Sequence, residues 1–162
     1  HEYMSVGLPA NNPKGEPRWT GPYFDIMSKD WMISLNYPIY IEDKYLLSIG
    51  LDILLNDFYD RSIHNVLEDT HNIVFRNDGR LITHKKYMDE IKPSDGNFNI
   101  LEKSDVVLKG IYKQVIDNPE KRVLFDDENK LFLGVGTIKG PDWLLVLVYP
   151  QHKMMATAKN TG

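Results

Sequence analysis

Between residues 71 and 150 the chain is written in short runs of β-branched, aromatic and aliphatic residues, each cut off by a polar or glycine-bearing turn. This alternation constrains the fold more than any other feature of the sequence. Residues 72–75, the turn Asn77-Asp78-Gly79 and residues 80–84 read as a hairpin, with Asp-Gly supplying the positive backbone angles that a tight turn requires. Ser104 is placed to cap a helix whose apolar positions include Val106, Val107, Leu108, Ile111, Tyr112, Val115 and Ile116, and Asn118-Pro119 ends it. Three more strands follow at residues 122–125, 130–138 and 143–149, separated by the polar segments 126–129 and 139–142. Strand, strand, helix, strand, strand, strand predicts a small α+β unit built on a five-stranded antiparallel sheet.

The first part of the chain spells only the later portion of a similar unit. Residues 11–22 hold three of the nine prolines and two glycines, which predicts an irregular loop. Residues 31–38 are rich in β-formers and stop at Pro38, which cannot donate to a ladder. A polar turn at Glu42-Asp43-Lys44 leads into a second strand over residues 45–52, making an antiparallel hairpin. After Asp52 the positions Leu54, Leu55, Phe58, Tyr59, Ser62, Ile63 and Val66 approximate an amphipathic helix running to about Leu67. The chain therefore reads as one and a half modules joined by that helix.

Composition removes whole classes of function. Nineteen Lys and Arg against 23 Asp and Glu leave a net charge of -4, so no basic excess is available to neutralise nucleic-acid phosphates. The absence of cysteine removes disulfides, thiolate metal sites and cysteine nucleophiles. The longest strongly apolar stretch, residues 143–149, is far short of the roughly 20 residues a membrane-spanning helix needs. The start at His1-Glu2-Tyr3, without an initiator Met or a signal segment, is expected of a piece excised from a longer protein.

Trp19-Thr20-Gly21-Pro22-Tyr23-Phe24-Asp25, then Trp31-Met32-Ile33-Ser34 with Pro38-Ile39-Tyr40, then Ile49-Gly50-Leu51-Asp52-Ile53-Leu54 resemble the double Cache sensor family. The stretch from Ile73 through Asp78-Gly79 to His84 is similar to the opening hairpin of that family's second module, and Gly140-Pro141-Asp142-Trp143 through Pro150 to its closing strand. The resemblance implies PAS-like modules with antiparallel sheets flanked by helices. Residues 1–67 would be a membrane-distal module, incomplete at its N-terminus, with its linking helix; residues 68–150 would be a membrane-proximal module, and residues 151–162 would lead toward the membrane. It also implies an extracytoplasmic domain, periplasmic or extracellular, of a membrane-anchored histidine kinase, diguanylate cyclase or chemotaxis receptor. Such a domain binds an amino acid, an amine or another small polar solute in the distal module, needs no cofactor and meets the membrane only through flanking helices; a homodimer is compatible with it.

Asp52 is the sharpest candidate for ligand contact, because a charge closing an apolar strand is costly to bury unless something pairs with it. The resemblance implies that it holds a ligand's amine; the alternative is a helix N-cap for the segment that follows. Tyr23 and Asp25 lie on a Pro-Tyr-x-Asp loop that the family folds over its pocket, the alternative being a turn in which Asp25 bonds nearby backbone and Tyr23 covers core. Trp19 and Tyr37 are candidates for an aromatic wall, or plain core. The family's Arg-x-Trp-Tyr motif of amino-acid sensors is absent, Arg18 and Trp19 being adjacent. This absence favours a second reading, a structural spacer working by dimer contacts. No catalytic residues and no metal ligands are assigned: the five histidines lack metal-ligand spacing, and Gly134-Val135-Gly136 lies within a strand with no third glycine.

Overall fold

Glu42 (φ 48) and Asp43 (φ 61) both take left-handed backbone, the geometry by which a two-residue loop matches the twist of the strands it joins. In a computed structural model of the chain, which describes residues 5–64 and 69–153, this turn folds β3 (Asp30–Ile41) onto β4 (Lys44–Leu54). Two short strands, β1 (Arg18–Trp19) and β2 (Tyr23–Asp25), pair antiparallel with the other flank of β3. The loop expected over residues 11–22 thus contains β1, and the Pro-Tyr-x-Asp segment is a strand and not a loop. Pro38 does not end β3, which continues to Ile41 with Pro38 opposite Ser48. Among the described residues no strand pairs with that flank beyond Asn36, so the missing N–H of Pro38 is not needed there.

Helix α1 (Asn56–His64) follows β4 directly; residues 65–67, which the apolar spacing assigns to it, lie outside the described residues. The remaining strands are β5 (His71–Phe75), β6 (Leu81–His84), β7 (Val123–Asp126), β8 (Leu131–Ile138) and β9 (Trp143–Pro150). They form the expected five-stranded antiparallel sheet, in the order β6-β5-β9-β8-β7. In the β5–β6 turn only Gly79 takes the positive angle (φ 86). Asp78 instead braces the turn by accepting from Arg80 N at 3.2 Å and Nε at 2.8 Å. Between β6 and the long helix the chain adds α2 (Met88–Ile91) and two 3-10 turns, Lys92–Ser94 and Ile100–Glu102, too short to leave a helical period in the sequence.

The long helix is α3 (Val106–Asp117). Its cap is Asp105, not Ser104: Asp105 is extended and its Oδ1 accepts from Leu108 N at 3.0 Å. The helix starts one residue later than the Ser104 reading requires, and the carboxylate suits the N-terminal dipole. Asp105→Ala is therefore expected to lower stability by about 0.5–2 kcal/mol in urea denaturation, while Ser104→Ala stays within about 0.5 kcal/mol of wild type.

The two sheets share one apolar core. Ile33, Leu55 and Tyr59 from the first part pack with Ile73, Val74, Phe75, Leu133, Trp143 and Val146 from the second. Helix α1 lies at the junction, its Phe58 ring 5.9 Å from Trp143 and its Tyr59 ring 6.4 Å from Trp31. Part of one face of the β3–β4 ribbon is uncovered: Ile33 is buried in the core, but Tyr37, Ile49, Leu51 and Ile53 on the same face are exposed. The outer edge of β4 pairs with no strand among the described residues.

Candidate functional site

Ser34 sits at the centre of a polar line that crosses three strands of the first sheet. Its Oγ donates to Asp52 Oδ1 at 2.5 Å, and Tyr23 Oη lies 2.6 Å from the same Oγ. A carboxylate only accepts, so the serine proton goes to Asp52 and the tyrosine hydroxyl donates to Ser34. Thr20 fixes the serine backbone from the other side: Ser34 N donates to Thr20 Oγ1 at 2.9 Å, and Thr20 N donates to Ser34 O at 2.9 Å. Thr20, Tyr23 and Ser34 are buried, whereas Asp52 is exposed at the end of the line. The arrangement is two buried hydroxyls in series, terminating on a solvent-facing carboxylate whose Oδ2 has no partner among the described residues.

A β-bulge puts Asp52 there. The register between β3 and β4 shifts between Ile39 and Tyr40, where Leu46 is the extra residue on β4. Tyr40 faces Tyr45, but beyond the bulge Ile39 faces Leu47 and Ser34 faces Asp52. Without the extra residue, side-chain alternation would turn Asp52 to the opposite face of the sheet. Gly50 and Gly7 define the surroundings. A Cβ at Gly50 would meet nothing within 4 Å, leaving space beside Asp52, while one at Gly7 would run into the side chains of Asn36 and Ser48. Among the described residues, the N-terminal segment therefore roofs one end of this face and leaves the Asp52 end open.

Asp52 is not a helix cap, since β4 runs on to Leu54 and α1 starts only at Asn56. Tyr23 joins the site, and its ring is buried on β2 opposite Met32. Asp25 lies on the same strand, but Ser28 N donates to its Oδ2 at 2.7 Å, and this backbone bond is the main cause holding its carboxyl below the usual range. Trp19 and Tyr37 are not brought to the site. Trp19 pairs with Leu35 and Tyr37 with Ile49, which places both on the face away from Ser34 and Asp52. Trp19 packs instead against Gly140 in the β8–β9 turn, where a Cβ would lie 3.3 Å from its ring. The sequence reading missed Ser34 and Thr20; the available signal was a small hydroxyl residue alone in the apolar run Trp31-Met32-Ile33-Ser34-Leu35.

The fold formed by the two antiparallel sheets and the helix between them has counterparts in solved structures. The extracellular domain of mmHK1S-Z3, assigned as a histidine kinase, superposes with a TM-score of 0.67 at 19% identity, covering 99% of this chain and 58% of that one. This chain has the fold of Cache-type sensor domains. The Cache-fold ligand-binding domain of Mlp24 with asparagine superposes at 0.56, with 15% identity over 96% of this chain and 60% of that one. That of the Pseudomonas aeruginosa PAO1 amino acid chemoreceptor PctC, in complex with GABA, superposes at 0.54, with 13% identity over 90% and 61%. The chain thus spans less than two thirds of these Cache-fold structures. No family model and no curated protein matches the sequence. The neighbours are sensor and ligand-binding domains, not catalytic ones, and no helix among the described residues is long and apolar enough to cross a membrane.

Proposed function

We propose that this chain is the greater part of an extracytoplasmic ligand-sensing domain of a transmembrane signalling protein, a histidine kinase, diguanylate cyclase or chemotaxis receptor. In this reading residues 1–67 carry the ligand site of a distal module, residues 68–150 form the proximal module, and the chain itself catalyses nothing. The observation that carries it is the Tyr23–Ser34–Asp52 line, which ends on an exposed carboxylate beside open space. The ligand is a small polar solute bearing an amine. Its ammonium bonds the open Oδ2 of Asp52, while Ser34 and Tyr23 fix the carboxylate from behind. Binding biases the first sheet, and the shared core beneath α1 passes that bias to the second.

The test is calorimetric titration of wild type and Asp52→Asn with the amino acids, amines or polyamines that raise the wild-type melting temperature. Asp52→Asn keeps the shape and loses the charge, so affinity should fall about tenfold or more while the melting temperature of the unliganded protein changes little. Equal affinities would refute the role of Asp52. The second reading, a structural spacer, is favoured by Trp19 and Tyr37 turning away from the site. It would be supported if no small solute stabilises the wild type.

A further inference from the structure

A second cavity lies in the other sheet, where α3 crosses the start of β5 and the end of β6. It has a volume of about 340 Å³, and Ile73, Leu108, Ile111 and Val148 form its apolar walls. His71 and His84 enter it together. A bulge makes this possible: the β5–β6 register shifts between Val74 and Phe75, with Ile82 the extra residue, so that His84 faces Ile73 and shares its side of the sheet with His71. The two rings stand edge to face, 5.5 Å between centroids. Lys86 N donates to His84 Nδ1 at 3.2 Å, which leaves the proton of the neutral ring on Nε2. Neither that Nε2 nor the ring nitrogens of His71 have a hydrogen-bond partner among the described residues.

The charges around the cavity select the ligand class. Lys85 and Lys86 stand at its mouth, which widens past Asp69 and Thr70. Both oxygens of Asp105 are engaged, Oδ1 by Leu108 N and Oδ2 by Tyr87 Oη at 2.6 Å and Lys86 Nζ at 3.2 Å. Asp69 is paired with Lys153 at 2.6 Å. Among the described residues, what remains unengaged is two imidazoles and Lys85, which suit a guest with an acceptor and an apolar body. Among the described residues no group of three His, Asp or Glu is placed to hold a metal ion.

We propose that this cavity binds a small monocarboxylate with a short aliphatic tail, its carboxylate accepting from His84 Nε2 and His71 and its tail lying against Ile73, Leu108, Ile111 and Val148. The proposal is independent of the Asp52 site. Burial, more than any neighbour, holds both imidazoles below their ordinary pKa, His84 at about 4. A carboxylate beside them favours the imidazolium, so binding takes up a proton and tightens as the pH falls. Lys85 and Lys86 oppose that uptake; Asp105 favours it.

The test is titration of the chain with sodium butyrate against equal sodium chloride, followed by the NMR signals of the histidine rings at pH 5.5 and pH 8. The expected result is a saturable shift of the His71 and His84 signals with affinity about tenfold higher at the lower pH. His84→Leu should weaken binding about tenfold, and Asp52→Asn should leave it unchanged. If His84→Leu does not fold, His71→Asn replaces it with the same expectation. No saturable shift in wild type, equal affinity at both pH values, or binding lost in Asp52→Asn but kept in the histidine variants would each overturn the proposal.

Discussion

Lowering the pH from 7 to 4 is expected to remove about 3 kcal/mol from the stability of the folded chain, the consequence of burying the His84 ring in neutral form. The unfolded ring titrates at its ordinary 6.5, the folded one at about 4. Between those values the unfolded state binds more protons, so the contribution is fully present above 6.5 and is lost as the pH falls through 4. His71, also lowered by burial, acts in the same direction. Asp105, held at about 2 by its bonds from Tyr87, Leu108 and Lys86 against the opposing effect of burial, extends the loss to more acid conditions. Denaturant midpoints measured across this range in carboxylate-free buffer should rise steadily with pH, and His84→Leu should flatten most of the rise. Midpoints independent of pH in wild type would contradict the buried neutral ring.

Trp143→Ala is expected to cost about 3–5 kcal/mol, against a typical domain stability of about 5–15 kcal/mol. Trp143 is 3% exposed and meets Phe58 of α1 across the junction of the two sheets. Since the buried residues form one cluster, the loss should appear as a lower midpoint of a single unfolding transition. A loss below about 1 kcal/mol, or separate transitions for the two halves, would show that the junction does not couple them.

The five strands of the second sheet were legible because each is an apolar run ended by a turn, and no long-range information is needed to see them. The first hairpin was legible for the same reason, but the polar run Glu42-Asp43-Lys44 reads as its turn and Pro38 as the end of its first strand, whereas Lys44 already pairs with Ile41. Its site was only half legible. Sequence shows that Asp52 closes an apolar strand, but the residue facing it depends on the extra Leu46, and nothing in the run Tyr45-Leu46-Leu47-Ser48 marks which position bulges. Facing decides which candidates can share a site: Tyr23 and Asp52 fall on one side, Trp19 and Tyr37 on the other. Ser34 escaped notice because a lone serine in a strand is ordinary until its cross-strand partner is known. The cap of α3 was misplaced by one residue because Ser104 and Asp105 are both good caps, and the contacts of Asp105 with Tyr87 and Lys86 arise only in the folded chain.

Strand β4 carries only two charges, Lys44 at its start and Asp52 near its end, along an outer edge that no strand pairs among the described residues. Charge is what keeps such an edge from templating another strand, and Ile49, Leu51 and Ile53 beside it offer adhesive surface. A cation held on Asp52 would cancel one of the two charges, so occupancy of the site and the stickiness of this ribbon are set by the same carboxylate.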